Sequence, residues 1–173
     1  MRVLLSCFQP FGGRKVNASW ELVRRVPQEL PGRTVAKVLL PVVHGKAWPI
    51  LANAIADFRP DAVVAFGESP AKEVGLERTA INLRGKKRPL VPDGRSAYLT
   101  TLPLDRLGSV LKRRGIPAGP SLSAGTYLCN EVFYFLMAHN LARPFKKGAG
   151  FVHVPRFAHM RWPSIARIVA ASL

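Results

Sequence analysis

Three residues have types that together could do covalent chemistry on a carbonyl: Cys129, His153 and Glu77. Cys129 lies in SAGTYLCNEVFYFLMAHN (123–140), where Leu128, Val132, Phe135 and Leu136 recur at helical spacing. The Ser-Ala-Gly turn before Thr126 predicts that the thiol stands in the first turn of this helix. A free thiol titrates well above neutrality, and both a helix N-terminus and a neighbouring imidazole favour the thiolate that attacks. His153 sits between Val152 and Val154 in GFVHVP (150–155), a strand closed by Pro155. From a strand end, a neutral imidazole can take a proton and later return it to a leaving amine. The third member of such a set is a carboxylate that holds the imidazole tautomer. Of the ten acidic residues, Glu77 is the one embedded in an apolar, strand-like segment, GLERTAIN (75–82).

Each of the three also has a structural use. For Cys129 alone, inert packing is the commoner role of a free cysteine. His153 alone reads as a satisfied core histidine, and Glu77 beside Arg78 as an ion pair. Spacing along the chain does not bring three distant segments together. The chemistry by itself stops at a cysteine hydrolase.

The elements that must position these groups alternate. VLLSCF (3–8) predicts a buried strand ending at a PFGG turn, and Asn17 predicts the cap of a helix from Ala18 to about Pro27. TVAKVLLPVV (34–43) reads as a strand, Lys46 to Phe58 as a helix with Trp48, Leu51, Ile55 and Phe58 inward, and DAVVAFG (61–67) as a central strand. EVGLERTAINLR (73–84) predicts one further strand, GKKRPLVPDG (85–94) a loop, and LPLDRLGSVLKRRG a helix. A short strand near AGPSLS, the cysteine helix, strand 150–155 and a terminal helix from Pro163 follow. That order predicts a single three-layer α/β/α domain over 1–173 with a mostly parallel central sheet. Ligands in such folds gather at the carboxyl ends of the strands. Here those ends carry PFGG, GESP and HVP.

Composition narrows the class. An apolar fraction of 48% supports a real core, and no apolar run approaches the length of a bilayer span. Only three apolar residues precede the LLSC segment's end at Cys7, too few for a signal sequence, so the expected location is the cytoplasm. Two cysteines make no disulfide framework, and the scattered His44, His139, His153 and His159 offer no paired zinc motif; neither metal nor cofactor is expected. The net charge of +16, with basic runs at 84–88 and 112–114, suits weak adhesion to polyanions. Those runs lack the interleaved aromatics of a single-strand binder, so no specific nucleic-acid partner and no membrane partner are expected.

CFQPFGG (7–13) with Asn17, GLERTAIN (75–82), SAGTYLCN (123–130) and GFVHVP (150–155), in that order, resemble pyroglutamyl peptidase type I, also called pyrrolidone-carboxylate peptidase. LPVVHGKA (40–47) and TLPLDRL (101–107) are similar too. The resemblance implies a cysteine peptidase that removes an N-terminal pyroglutamyl residue from peptides through a thioester. It implies a triad at the positions of Cys129, His153 and Glu77, with Phe8 and Phe11 packing on the substrate ring. Tyr127 and Leu128 match positions that line the same pocket in relatives. A pyroglutamyl group is a flat, uncharged lactam without a free amine. A pocket for it is apolar, with a few placed hydrogen bonds.

The chain departs from the family pattern in places. The segment after Asn82 is shorter and basic where relatives carry a longer, acidic loop that covers the pocket, which predicts weakened substrate binding. One residue is missing between Pro70 and Glu77, Glu68 stands where many relatives are neutral, and Cys7 where they have glycine. Relatives often form tetramers partly through such loops, so a homo-oligomer is compatible with the resemblance and not specified by it. Beside the peptidase stand two alternatives: a weak or inactive relative whose basic surface holds polyanions or a partner, and a peptidase for another N-terminal group.

Overall fold

The computed structural model describes every residue except Lys87, a member of the basic run 84–88 that lies outside the described residues. In chain order the strands are β1 (Arg2–Phe8), β2 (Glu29–Leu30), β3 (Arg33–Leu40), β4 (Ala62–Ser69), β5 (Val74–Glu77), β6 (Thr79–Ile81), β7 (Ala97–Leu99), β8 (Ala118–Ser121) and β9 (Ala149–Pro155). The helices are α1 (Ala18–Arg24), α2 (Ala47–Phe58), α3 (Leu104–Arg113), α4 (Leu128–Ala142), α5 (Ala158–Arg161) and α6 (Ile165–Ala171). Seven strands form one sheet in the order β2-β3-β1-β4-β9-β5-β8. Pairing is parallel from β3 through β1 and β4 to β9, and again between β5 and β8. It is antiparallel between β2 and β3 and between β5 and β9.

Strand alternation divides the core between the two faces of this sheet. Val3, Leu5 and Cys7 of β1 face a layer that includes Leu22 and Val23 of α1, Leu107 and Leu111 of α3, and Ile165 and Val169 of α6. Leu4 and Phe8 face the opposite way, onto Leu51 and Ile55 of α2 and Val132, Phe133 and Leu136 of α4. Both sides of β1, β4 and β9 are therefore buried, which is why these strands read as continuous apolar runs.

Several expected boundaries move. The helix expected to reach Pro27 ends at Arg24, although Val26 stays buried; the N–H groups of Arg25 and Val26 both turn back to Val23 O. The strand expected to run to Val43 ends at Leu40, because Pro41 has no N–H to give and Val42 and Val43 turn outward. The terminal helix starts at Ile165 rather than Pro163, and the four-residue α5 precedes it.

The largest correction concerns 73–84, which is two strands in two sheets. Arg78 is the point of exchange: its N–H bonds Ser121 O at 2.7 Å beside β8, while its carbonyl accepts from Thr100 N–H at 2.9 Å beside β7. Beyond it, β6 pairs antiparallel with β7 in a separate two-stranded sheet. Asn130, completely buried in the first turn of α4, stitches this ribbon to the helix. Its amide accepts from Ile81 N–H at 2.9 Å and donates to the carbonyls of Ile81 and Leu83.

Candidate active site

β1, β4 and β9 run parallel, so the residues at their carboxyl ends converge on one rim of the sheet. α4 begins at the same rim. Between them opens a cleft of about 700 Å³, within the ordinary range of small-molecule sites. Cys129, His153, Glu77, Phe8, Phe11, Tyr127 and Leu128 all line it. Seven side chains from four separate stretches of sequence are thus brought together.

Cys129 is the second residue of α4, where the N–H groups of the first turn lack intrahelical acceptors. His153, on β9, lies directly beside Gly67 of β4 on one side and Gly75 of β5 on the other. Its Nδ1 is 2.8 Å from Oε1 of Glu77, which is 2% exposed at the end of β5. Cys129 lines the same cleft, near enough to affect the charge of this imidazole. Burial by itself would lower the imidazole pKa. Contact with Cys129 and Glu77 outweighs this and raises it from 6.5 to about 9. Such an arrangement can take a proton from the thiol, hold it as imidazolium, and release it to a departing group.

The two glycines are what make this packing fit, and motif reading did not single them out. A β-carbon on Gly67 would stand 2.9 Å from Cys129 Sγ, and one on Gly75 would stand 3.2 Å from Glu77 Oε1. The signal was present as glycine within or next to strand-like runs, which marks close approach by a neighbour. Glu68 also lines the cleft, with its side chain 3% exposed. It is paired with Arg14 and lies 3.5 Å from Arg156 Nε, and its other oxygen accepts from Ala18 N–H at 2.8 Å.

Cys7 is not near the cleft: it is fully buried on the α1 face, 3.6 Å from Val38 O, and burial pushes its thiol up to about 12. Among the described residues, the loop after Asn82 contributes none to the lining of the cleft. It folds onto α4 instead, with Asn82 bonded both ways to Val91 at 2.8 and 2.9 Å and Tyr134 Oη donating to Arg95 O at 2.8 Å. Tyr127 is left 71% exposed at the rim.

The family model described as pyroglutamyl peptidase matches residues 1–164. The pyrrolidone-carboxylate peptidase of Pyrococcus furiosus is 37% identical, over 90% of this chain and 81% of its own length. That of Gloeobacter violaceus is also 37% identical, over 99% of this chain and 91% of its own. The crystal structure of pyroglutamyl peptidase I from Bacillus amyloliquefaciens superposes with a TM-score of 0.90 at 30% identity, covering 99% of this chain and 93% of that one. With its cleft, its parallel rim and its motifs all in the same order, this chain belongs to the pyroglutamyl peptidase family.

Proposed function

We propose that the chain hydrolyses the bond after an N-terminal pyroglutamyl residue, with Cys129 as nucleophile, His153 as its proton partner and Glu77 as the group that orients the imidazole. The observation that carries the reading is the 2.8 Å contact from Glu77 to His153 Nδ1, which leaves the other ring nitrogen for the thiol inside a mainly apolar cleft. Phe8 and Phe11 enclose the flat lactam, with Leu128 and Tyr127 along its edge. The Cys129 thiol gives its proton to His153, and the thiolate adds to the pyroglutamyl carbonyl. The oxyanion meets the unpaired N–H groups at the start of α4. When the C–N bond breaks, the imidazolium protonates the leaving amine. Water then attacks the thioester, giving its proton to His153, and the C–S bond breaks to release pyroglutamate and the thiol.

The site of action we infer is the cytoplasm. Both cysteines are free, and no helix among the described residues is long and apolar enough to cross a membrane.

The test is hydrolysis of a pyroglutamyl fluorogenic amide against the prolyl amide, which has the same five-membered ring but a basic amine. An apolar cleft cannot solvate that ammonium, so the pyroglutamyl amide should be preferred by about 100-fold or more in kcat/KM. Equal rates would sink the assignment. With the loop after Asn82 short and none of its described residues lining the cleft, KM should exceed that of relatives with the longer loop, by about three- to ten-fold.

pH supplies a second check. His153 must hold its proton to serve as the acid, so kcat/KM should fall as pH rises through about 9. Glu77→Gln removes one of the interactions that raise the imidazole and should move this limb down by about one unit. Because the folded value is raised, the stability supplied by the charged imidazole is complete below pH 6.5 and is lost as pH climbs through about 9. A basic limb unmoved by Glu77→Gln would separate it from His153.

A further inference from the structure

Phe8 and Phe11 are held very differently. The Phe8 ring is 3% exposed and packs against Phe151, with centroids 6.5 Å apart. Phe11 is 40% exposed, and no other aromatic ring among the described residues stacks on it. What lies over it is a guanidinium. Gly12 and Gly13 take positive φ angles of 62° and 74°, and the turn closes with Arg14 N–H donating to Phe11 O at 3.2 Å. This folds Arg14 back so that its guanidinium carbon stands 4.4 Å from the centre of the Phe11 ring.

Arg14 is anchored in turn. Its Nη1 donates to Glu68 Oε1, while Glu68 Oε2 takes the N–H of Ala18, where α1 begins. The carboxylate therefore joins the end of β4 to both sides of the loop that carries Phe11. Charge-assisted bonds to a nearly buried carboxylate are stronger and shorter than neutral ones, and a cation over a ring face is attracted to its quadrupole.

We propose that Glu68 and Arg14 are positioning residues for the substrate ring: Arg14, fixed by Glu68, braces Phe11 from its outer side. The brace rests on the reading of Phe11 as a wall of the pyroglutamyl site. It takes on particular weight here because no described residue of the loop after Asn82 lines the cleft to hold that wall. Neither residue touches the reacting atoms. Their effect falls on how well the ring is gripped rather than on the covalent step.

The experiment is steady-state kinetics on a pyroglutamyl fluorogenic amide with Phe11→Ala, Glu68→Gln, Arg14→Ala, Arg14→Lys and the double variant Glu68→Gln/Phe11→Ala. Phe11→Ala should raise KM about ten-fold, and Glu68→Gln about three- to five-fold, with kcat changed by less than about two-fold in both. In Glu68→Gln the side-chain amide oxygen can still accept from Ala18 N–H, so only the charge that anchors Arg14 is lost. Arg14→Lys should recover part of the loss seen in Arg14→Ala, since an ammonium keeps the charge but not the flat stack. The double variant should be no worse than Phe11→Ala alone, because the brace has nothing left to hold.

An unchanged KM for Phe11→Ala overturns both the ring-wall reading and the brace. A raised KM for Phe11→Ala with an unchanged KM for Glu68→Gln overturns the brace alone. Additive losses in the double variant place the action of Glu68 elsewhere and overturn it too. Should Glu68→Gln fail to fold by thermal denaturation, Arg14→Ala at a partly exposed position decides by the same KM criterion.

Discussion

Replacing Cys129 with alanine should lower kcat/KM for a pyroglutamyl amide by about 10⁴-fold or more, leaving only what the cleft and the helix N–H groups supply. The second cysteine cannot take over. The other thiol, Cys7, has no exposure, faces the opposite side of the sheet, and is pushed up to about 12, so its thiolate is absent at working pH. The substitution removes one sulfur from a partly exposed position and should cost no more than about 1 kcal/mol of stability. Loss of activity with an unchanged melting temperature therefore reads as lost chemistry. Alkylation gives an independent view: iodoacetamide should modify one thiol in the folded wild type and none in Cys129→Ala. A variant that keeps a tenth of wild-type activity would remove Cys129 from the mechanism, and labelling of both thiols would contradict the burial of Cys7.

Much of this site was legible in the sequence. Helical spacing and the Ser-Ala-Gly turn put Cys129 in the first turn of a helix, where α4 indeed begins at Leu128. His153 was readable as a strand-end imidazole because Pro155 closes its strand. The pairing of Glu77 with His153 was not readable from chemistry alone, since 76 residues separate them and only the order of β5 beside β9 brings them together. The resemblance to a family supplied that link. The side on which Cys7 lies could have been found: in a strand, neighbours point to opposite faces, so a thiol beside Phe8 faces away from the cleft that Phe8 lines.

Other features had no local signature. The strands β2 and β7 have two and three residues, too few to show any period. The break at Arg78 interrupts a run whose alternation continues on both sides, and it follows from which backbone partners the chain meets, Ser121 and then Thr100. The cluster of Arg14, Glu68 and Arg156 gathers three charged residues from distant parts of the chain at one rim. In sequence, each looks like part of an ordinary basic or acidic surface. Fold class follows from pattern, whereas the fine shape of a site follows from long-range contacts, and small residues record those contacts only as an absence.

Gly67 is where such an absence should have the largest consequence after Cys129 itself. It sits on β4 in register with His153, and the space where a side chain would stand is occupied from two directions. A β-carbon there would lie 2.7 and 2.9 Å from the Cζ and Cε1 atoms of Phe151 and 2.9 Å from Cys129 Sγ. Phe151 has little freedom to yield: it is fully buried and packs against Phe8, Phe133 and His153, with centroids 6.5, 5.8 and 4.9 Å away. Displacing that ring would carry the imidazole with it, so the thiol has to give way. A shift of about 1 Å in a reacting group costs about 100-fold in rate, which is the fall in kcat expected for Gly67→Ala. Overpacking of a tight core costs about 1–3 kcal/mol, so the melting temperature should drop by about 5 °C while the chain still folds. KM for the pyroglutamyl amide should change far less than kcat, because Phe8 and Phe11 are not among the atoms struck. The rate of Cys129 alkylation should fall alongside kcat, since both depend on how the sulfur meets His153. A Gly67→Ala variant with full kcat would mean that the thiol is seated loosely. The closeness of β4 to the first turn of α4 would then be a packing feature without bearing on the chemistry.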